Sequence, residues 1–556
     1  MEPEHAQKYR KVIKEVLLGN KVSAVDCQKL ALACSLAGAR GVEDLSKAGS
    51  SGSRPGNVQR DMMNTILKES DYPEYYWADI PLHDPKLHKT VIVKMPFLLP
   101  HEVMQALHNN NKLQHAKSSR TTCTKGIWGH LQKAASLLSV APGDLFALGI
   151  HGDGTPCGAK ESLEQLSWSL PSWQGSGYGP RFLMFSVLKE FVAKGETWNA
   201  VFEVIAWSFK CLFAKTWPET RHDNSPWTAT DANRSQLTGS MSIHGVLCHA
   251  RGDWSFFKEV FNFPAWNCKD AMCWMCSASK ETMTDFSLSA PWRHERKSSD
   301  DLLRTLRAAG IKPAALFSIP LFHPNLVLVD WLHTMDLGVT SDCLGNFFFE
   351  MLAFMPGNNR KEKVTSLWQQ MQAYYDRHPA ATKLLNLTPE MIKQDAKKPK
   401  LRGKASQVKS LVPFAVELAA KHCVGSARSQ LMKNVVGHLA FLYESLDKDV
   451  WPAEDAATRA RKMLLLYSSL QQEQTALGLD VCWQLKPKHH LMLELMEYVA
   501  PEQGNPKMYW TYADEDFGGW LAAIAKRRGG HRTPVSVALK LLNNCTCIEK
   551  MANLDM

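Results

Sequence analysis

A chain of 556 residues that is 45% hydrophobic and 22% charged has an ordinary globular composition and enough length for several domains. It holds no run of about 18 apolar residues, which argues against a membrane span, and its start, Met1-Glu2-Pro3-Glu4-His5, lacks the apolar core of a secretory signal. The net charge of +10 is compatible with a polyanionic partner, and 14 cysteines scattered over a long chain fit metal-bound or core thiols in a reducing compartment better than a disulfide framework.

Residues 1–48 read as an N-terminal helical segment, with Val12, Val16 and Leu17 at helical spacing. Residues 49–56, Gly-Ser-Ser-Gly-Ser-Arg-Pro-Gly, have the composition of a flexible linker. The region 57–142 precedes the core, with a helix over 57–69 and a strand over Lys89–Pro96. From 143 to 280 the pattern becomes α/β. Strands are predicted over Leu145–Ile150, running into Asp153, over Leu163–Leu170 and over Arg181–Leu188. A long amphipathic helix over Trp198–Trp217 follows, with Val201, Val204, Ile205, Phe209 and Leu212 on one face. A fourth strand, Ile243–Ala250, ends just before Asp253. Residues 281–510 are mostly helical in pattern, with candidates over Trp368–Tyr375, Leu411–His422, Leu431–Leu446 and Ala456–Leu470. Within them, Lys397–Lys404 reads as a basic, poorly structured stretch. Residues 511–556 form a C-terminal helix region, with a helix over Phe517–Arg527. The expected fold class is α/β: a ribonuclease-H-like mixed sheet core interrupted by a large helical insertion, preceded by a helical N-terminal region.

Three acidic islands stand out. Asp153 lies in Gly149-Ile150-His151-Gly152-Asp153-Gly154, where the plainer reading is a tight turn. Asp253 lies in Arg251-Gly252-Asp253-Trp254, where the plainer reading is a helix N-cap. Glu515 lies in Asp514-Glu515-Asp516, where acids commonly pair with a helix dipole. Together, two strand-end aspartates and a helix-borne glutamate are the oxygen ligands that two magnesium (Mg2+) or manganese (Mn2+) ions need for phosphoryl transfer.

Cys273-Trp274-Met275-Cys276 is half of a structural zinc (Zn2+) site, or a pair of core thiols. Partners could come from Asp330-Trp331-Leu332-His333, or from Lys486-Pro487-Lys488-His489-His490 with Glu494 one turn later. Lys526, Arg527, Arg528, His531 and Arg532 read either as a solvated basic face or as phosphate contacts.

In order and spacing, these motifs resemble the DDE/D transposases of the CACTA (En/Spm) type and their Plavaka-like relatives. The resemblance spans about 140–545. Asp153-Gly154 is similar to the family's first catalytic aspartate, and Asp253 with Cys273 and Cys276 to the second aspartate and its zinc-knuckle pair. Asp330-x-x-His333 and the helix bearing His490 are similar to elements between the second and third acids, and Tyr512–Lys526 to the stretch carrying the catalytic glutamate. Glu494 stands where the family has a second histidine, and Asp514 and Asp516 are alternatives to Glu515. The resemblance implies a nuclear enzyme that cuts and joins DNA, compatible with a homo-oligomer. It implies two magnesium ions on Asp153, Asp253 and Glu515, and structural zinc on Cys273, Cys276, His490 and His333. A transposase-derived protein that binds DNA without cutting it is the alternative. A helical scaffold with one structural zinc is a third reading, and it predicts no strands between 143 and 253.

Overall fold

The computed structural model describes residues 3–18, 22–50, 57–67, 72–174, 180–379, 382–394, 397–478, 482–527 and 533–547. The expected linker lies largely outside them, as do Arg528, His531 and Arg532.

The N-terminal helices Pro3–Leu18, Ala24–Leu36 and Val58–Leu67 enclose a small apolar core of their own, built on Ile13, Leu17, Cys27, Leu45 and Met62. They are followed by an antiparallel hairpin, β1 (Tyr76–Asp84) and β2 (Lys89–Phe97), in register from Tyr76 opposite Phe97 to Asp84 opposite Lys89. Sequence reading found β2 and missed β1. Tyr76, Ala78, Ile80 and Leu82 do alternate inward, but Pro81 in the middle argues against a strand.

The central sheet has four strands: β3 (Leu145–Pro156), β4 (Ser162–Ser169), β5 (Arg181–Leu188) and β6 (His244–Gly252), in spatial order β5-β4-β3-β6. β3, β4 and β5 pair antiparallel, and β6 lies parallel to β3. The parallel pairing requires a crossover, which the Thr197–Ala214 helix supplies. Its apolar face, including Val201, Val204, Ile205, Phe209 and Leu212, is buried. These strands rule out the helical scaffold. They also correct the turn reading of Asp153: β3 continues through it, and Asp153 is paired with Gln165 of β4.

Two helices approach the central sheet closely at glycines. A Cβ on Gly152 would come within 1.9 Å of the Phe256 ring, which belongs to the Trp254–Phe261 helix. A Cβ on Gly518, in the Tyr512–Lys526 helix, would meet the Gln165 amide at 2.2 Å.

Between β6 and the Tyr512–Lys526 helix the chain is mostly helical. The four predicted helices are present as Arg360–Arg377, Val412–His422, Ala427–Ser445 and Ala453–Ala476, and the last two pack along one another. The region includes a π-helical stretch, Leu332–Thr340. Lys397–Lys404 carries no regular element at its centre, yet it is pinned. Lys400 N–H donates to Ile392 O at 2.9 Å, and Leu401 N–H to Ser341 O at 2.8 Å. The buried Leu401 side chain holds the crossing in place. The architecture is thus mixed α/β with two small sheets and a large helical insertion.

Candidate active site and metal centre

β6 ends at Gly252, while its neighbour β3 runs on to Pro156. Gly152 is in register with Gly252, and neighbouring strands lie about 4.8 Å apart, so Asp253, just past the end of β6, follows the strand partner of the residue before Asp153. Asp253 also caps the next helix, accepting the Phe256 N–H on Oδ1 at 2.6 Å. The capping expectation therefore holds, and it leaves the second oxygen of Asp253 unused by the cap.

The Tyr512–Lys526 helix crosses the same sheet face and brings three adjacent acids with it. They part company by orientation. Asp514 is buried against two arginines: Arg181 Nε donates to its Oδ1 at 3.1 Å and Arg251 Nη2 at 3.3 Å, while Arg251 Nη1 lies 2.9 Å from Oδ2 as an ion pair. Burial alone would raise its pKa, but Arg251 and Arg181 overcome that and hold it at about 2. Asp516 is exposed. Glu515 points into the cluster, with Oε1 3.8 Å from His151 Nε2 and 3.6 Å from His333 Nε2. Of the three acids, Asp514 is engaged by the arginines and Glu515 faces the two imidazoles.

His333 is held by Asp330, whose Oδ2 accepts from both the His333 backbone N–H at 2.8 Å and its ring Nδ1 at 2.9 Å. The other Asp330 oxygen takes the Thr511 N–H at 3.0 Å, at the start of the Glu515 helix. Burial would lower the imidazole pKa, but the Asp330 hydrogen bond and charge, with Glu515 and Asp153, raise it to about 9. Burial and the charge of Asp153, followed by Asp330 and Asp514, push Glu515 up to about 8. Glu515 Oε1 and both ring nitrogens of His151 are buried without hydrogen-bond partners among the described residues. A surplus of carboxylate charge with an orphaned oxygen fits a site for hard cations.

A second cluster joins the Cys273–Cys276 loop to the Pro487–Glu494 helix. Cys273, Cys276, His490 and Glu494 are all buried, with ligand atoms within 4.8 Å of one another. Cys276 Sγ is 3.3 Å from His490 Nε2, Cys273 Sγ is 3.7 Å from Glu494 Oε1, and His490 Nε2 is 3.3 Å from Glu494 Oε1. A tetrahedral ion with ordinary bond lengths gives edges of about 3.6 Å from sulfur and about 3.3 Å between nitrogen and oxygen. The group could therefore hold a metal ion. Burial would raise Glu494, but His490 and Arg296 hold it at about 2. Arg296 grips both its oxygens, at 2.8 and 2.7 Å. Cys273 is brought to about 6 against the effect of burial, by hydrogen bonds from Cys276 and His490.

This corrects the expected ligand set. His333 belongs to the carboxylate cluster, and Glu494 takes its place beside Cys273, Cys276 and His490. The signal was available: His490 and Glu494 are four residues apart and share a helix face. His151, two residues before Asp153 on a strand, shares its face for the analogous reason, and sequence reading assigned it nothing. Asp330, the group that orients His333, was visible as part of a motif but carried no role.

No protein-family model matches the chain, and no curated protein matches it.

Proposed function

We propose that this protein is a DDE-type DNA strand-cleaving and strand-transferring enzyme, similar in kind to the CACTA and Plavaka-like transposases, that works on nuclear DNA. The observation that carries the reading is that Glu515, from a helix more than two hundred residues later, is brought beside His333 and into the field of Asp153 on β3, while Asp253 follows Gly252, the β6 partner of Gly152. The strand order β5-β4-β3-β6, with only β6 parallel to β3, supports a ribonuclease-H-like core.

Asp153, Asp253 and Glu515 would hold two magnesium or manganese ions. Such a pair activates the attacking water or 3′-hydroxyl and stabilises the leaving oxygen. Asp330 fixes the His333 ring so that Nε2 faces Glu515 and the cluster. As an imidazolium, His333 can donate a proton at Nε2 to a departing oxygen. Asp514, clamped by Arg181 and Arg251, sets the rotation of the helix that presents Glu515. Cys273, Cys276, His490 and Glu494 would bind zinc, whose preference for sulfur and nitrogen in tetrahedral sites suits this donor set. That zinc would tie the insertion to the core. The lysines and arginines of the insertion would grip the DNA backbone, with affinity that falls steeply with salt.

The test is cleavage and joining of a labelled duplex in magnesium or manganese, with wild type beside Asp153→Ala and Glu515→Ala. Cleavage by wild type alone is the expected result. Salt-sensitive DNA binding by all three proteins with cleavage by none would replace this reading with a binding protein that has lost catalysis. Absence of both binding and cleavage in folded protein would overturn the DNA reading altogether.

A further inference from the structure

A cavity of about 350 Å³ adjoins the acidic cluster, which contributes Asp253, Asp330 and His333 to its wall. The rest of the wall combines lysines with indoles, Lys400, Lys486 and Lys488 with Trp254, Trp266 and Trp274. The lysines are not equivalent. Lys486 Nζ is paired with Asp342 at 2.7 Å. Lys488 Nζ donates to His333 O at 2.7 Å, and Lys400 Nζ to Leu337 O at 2.9 Å. Both of those acceptors are neutral carbonyls of the π-helical stretch, where the hydrogen-bond ladder is displaced. An ammonium has three donors, so Lys400 and Lys488 each keep donors beyond these carbonyl contacts. Gly338 makes the arrangement feasible, because a Cβ there would come within 2.6 Å of Lys488 Cδ.

The indoles also divide. Trp254 and Trp274 are buried and meet edge-on at 5.7 Å. Trp266 leaves 42% of its surface exposed, and its ring centre lies 6.2 Å from Trp254. Trp266 carries Lys258 Nζ at 5.7 Å from its ring centre and shares the cavity wall with Lys400 and Lys488, so the wall combines a planar apolar surface with ammonium groups that can seat an anion. The cavity has room on the scale of one nucleotide.

Resting on the proposed DNA-cleaving function, we infer that this cavity seats one unpaired nucleotide of the strand next to the cut, with its base on Trp266 and its phosphate on Lys400 and Lys488. The cavity then selects DNA ends with a displaced base over fully paired duplex. Stacking of one base on an aromatic side chain corresponds to about five-fold to a hundred-fold in affinity.

The test uses the full chain and three labelled duplexes: blunt, with a one-nucleotide 3′ overhang, and with a one-nucleotide 5′ overhang. Affinities are measured by fluorescence anisotropy, and 2-aminopurine at the unpaired position reports stacking through loss of its emission. Wild type is expected to prefer one overhang over the blunt duplex at least five-fold and to quench the probe. Trp266→Ala should lose both effects while keeping blunt-duplex affinity, and Trp266→Phe should restore part of each. Because Trp266 is exposed, these variants are expected to fold. Equal binding of all three duplexes by a wild type that cleaves DNA would overturn the inference and leave the proposed function intact. So would an overhang preference that survives Trp266→Ala. No binding to any duplex would overturn both.

Discussion

Replacing Asp514 and Glu515 one at a time separates anchoring from chemistry in two adjacent carboxylates. Asp514→Asn removes the counter-charge of Arg251 and Arg181, of which Arg251 is only 4% exposed. The pKa of Asp514 falls from 3.8 to about 2 on folding, which corresponds to roughly 2 kcal/mol of stability. Leaving a buried guanidinium unpaired costs more, about 3–5 kcal/mol. Because the native pKa is depressed, this contribution is fully present above pH 4 and is lost as pH falls through about 2. Glu515 has the opposite sign. Its pKa rises from 4.5 to about 8, so folding with an ionised Glu515 becomes less favourable as pH climbs between those values. At pH 7 this amounts to at most roughly 3 kcal/mol, with the attraction of His333 already included, so Glu515→Gln should stabilise the metal-free protein by up to about 3 kcal/mol. The gain should shrink to below about 1 kcal/mol at pH 5. Denaturant unfolding at both pH values, beside duplex cleavage, reads the two effects. The expected pattern is an unstable Asp514→Asn that cleaves in proportion to its folded fraction, and a stable Glu515→Gln that does not cleave. If Glu515→Gln were destabilised as much as Asp514→Asn, or if Asp514→Asn unfolded like wild type, the assignment of roles would be wrong.

Three more outcomes follow from the same geometry. His333→Asn should lower cleavage by about a hundred-fold to ten-thousand-fold. Wild-type activity should also decline as pH rises past about 9, where His333 loses its proton, and a wild-type profile flat through that range would remove the imidazolium from the mechanism. Magnesium affinity, measured by calorimetry, should tighten about tenfold per pH unit from pH 6 to 8 as the metal displaces the Glu515 proton, whereas affinity independent of pH would show that Glu515 is not a ligand. Purified protein should carry zinc that Cys273→Ser and His490→Ala each lose, with a lower melting temperature on chelation. Metal-free wild type that is indifferent to chelators would leave Cys273, Cys276, His490 and Glu494 as a hydrogen-bonded core cluster.

Much of the core was legible because local patterns were strong. Leu145–Ile150, Leu163–Leu170, Arg181–Leu188 and Ile243–Ala250 are short runs of β-favouring residues, and each is a strand of the central sheet. The helix after the third of them shows its apolar face as a period of 3.6 residues. Those signals need only neighbours within one turn or one strand. Chain order also marked Asp153, Asp253 and Glu515 as residues of interest. What each acid does was not legible, because it depends on partners hundreds of residues away. Asp514 and Glu515 are chemically near-equivalent and adjacent. Only the approach of Arg181 and Arg251 on one side, and of His151 and His333 on the other, pairs one with guanidinium groups and turns the other toward two imidazoles. The same holds for His333, which the sequence could place with either set of candidate ligands. Tertiary packing puts Asp330 behind its ring and Glu515 before it, and leaves the metal centre to Glu494. Periodicity determines which residues share a face; which faces meet is decided by long-range packing.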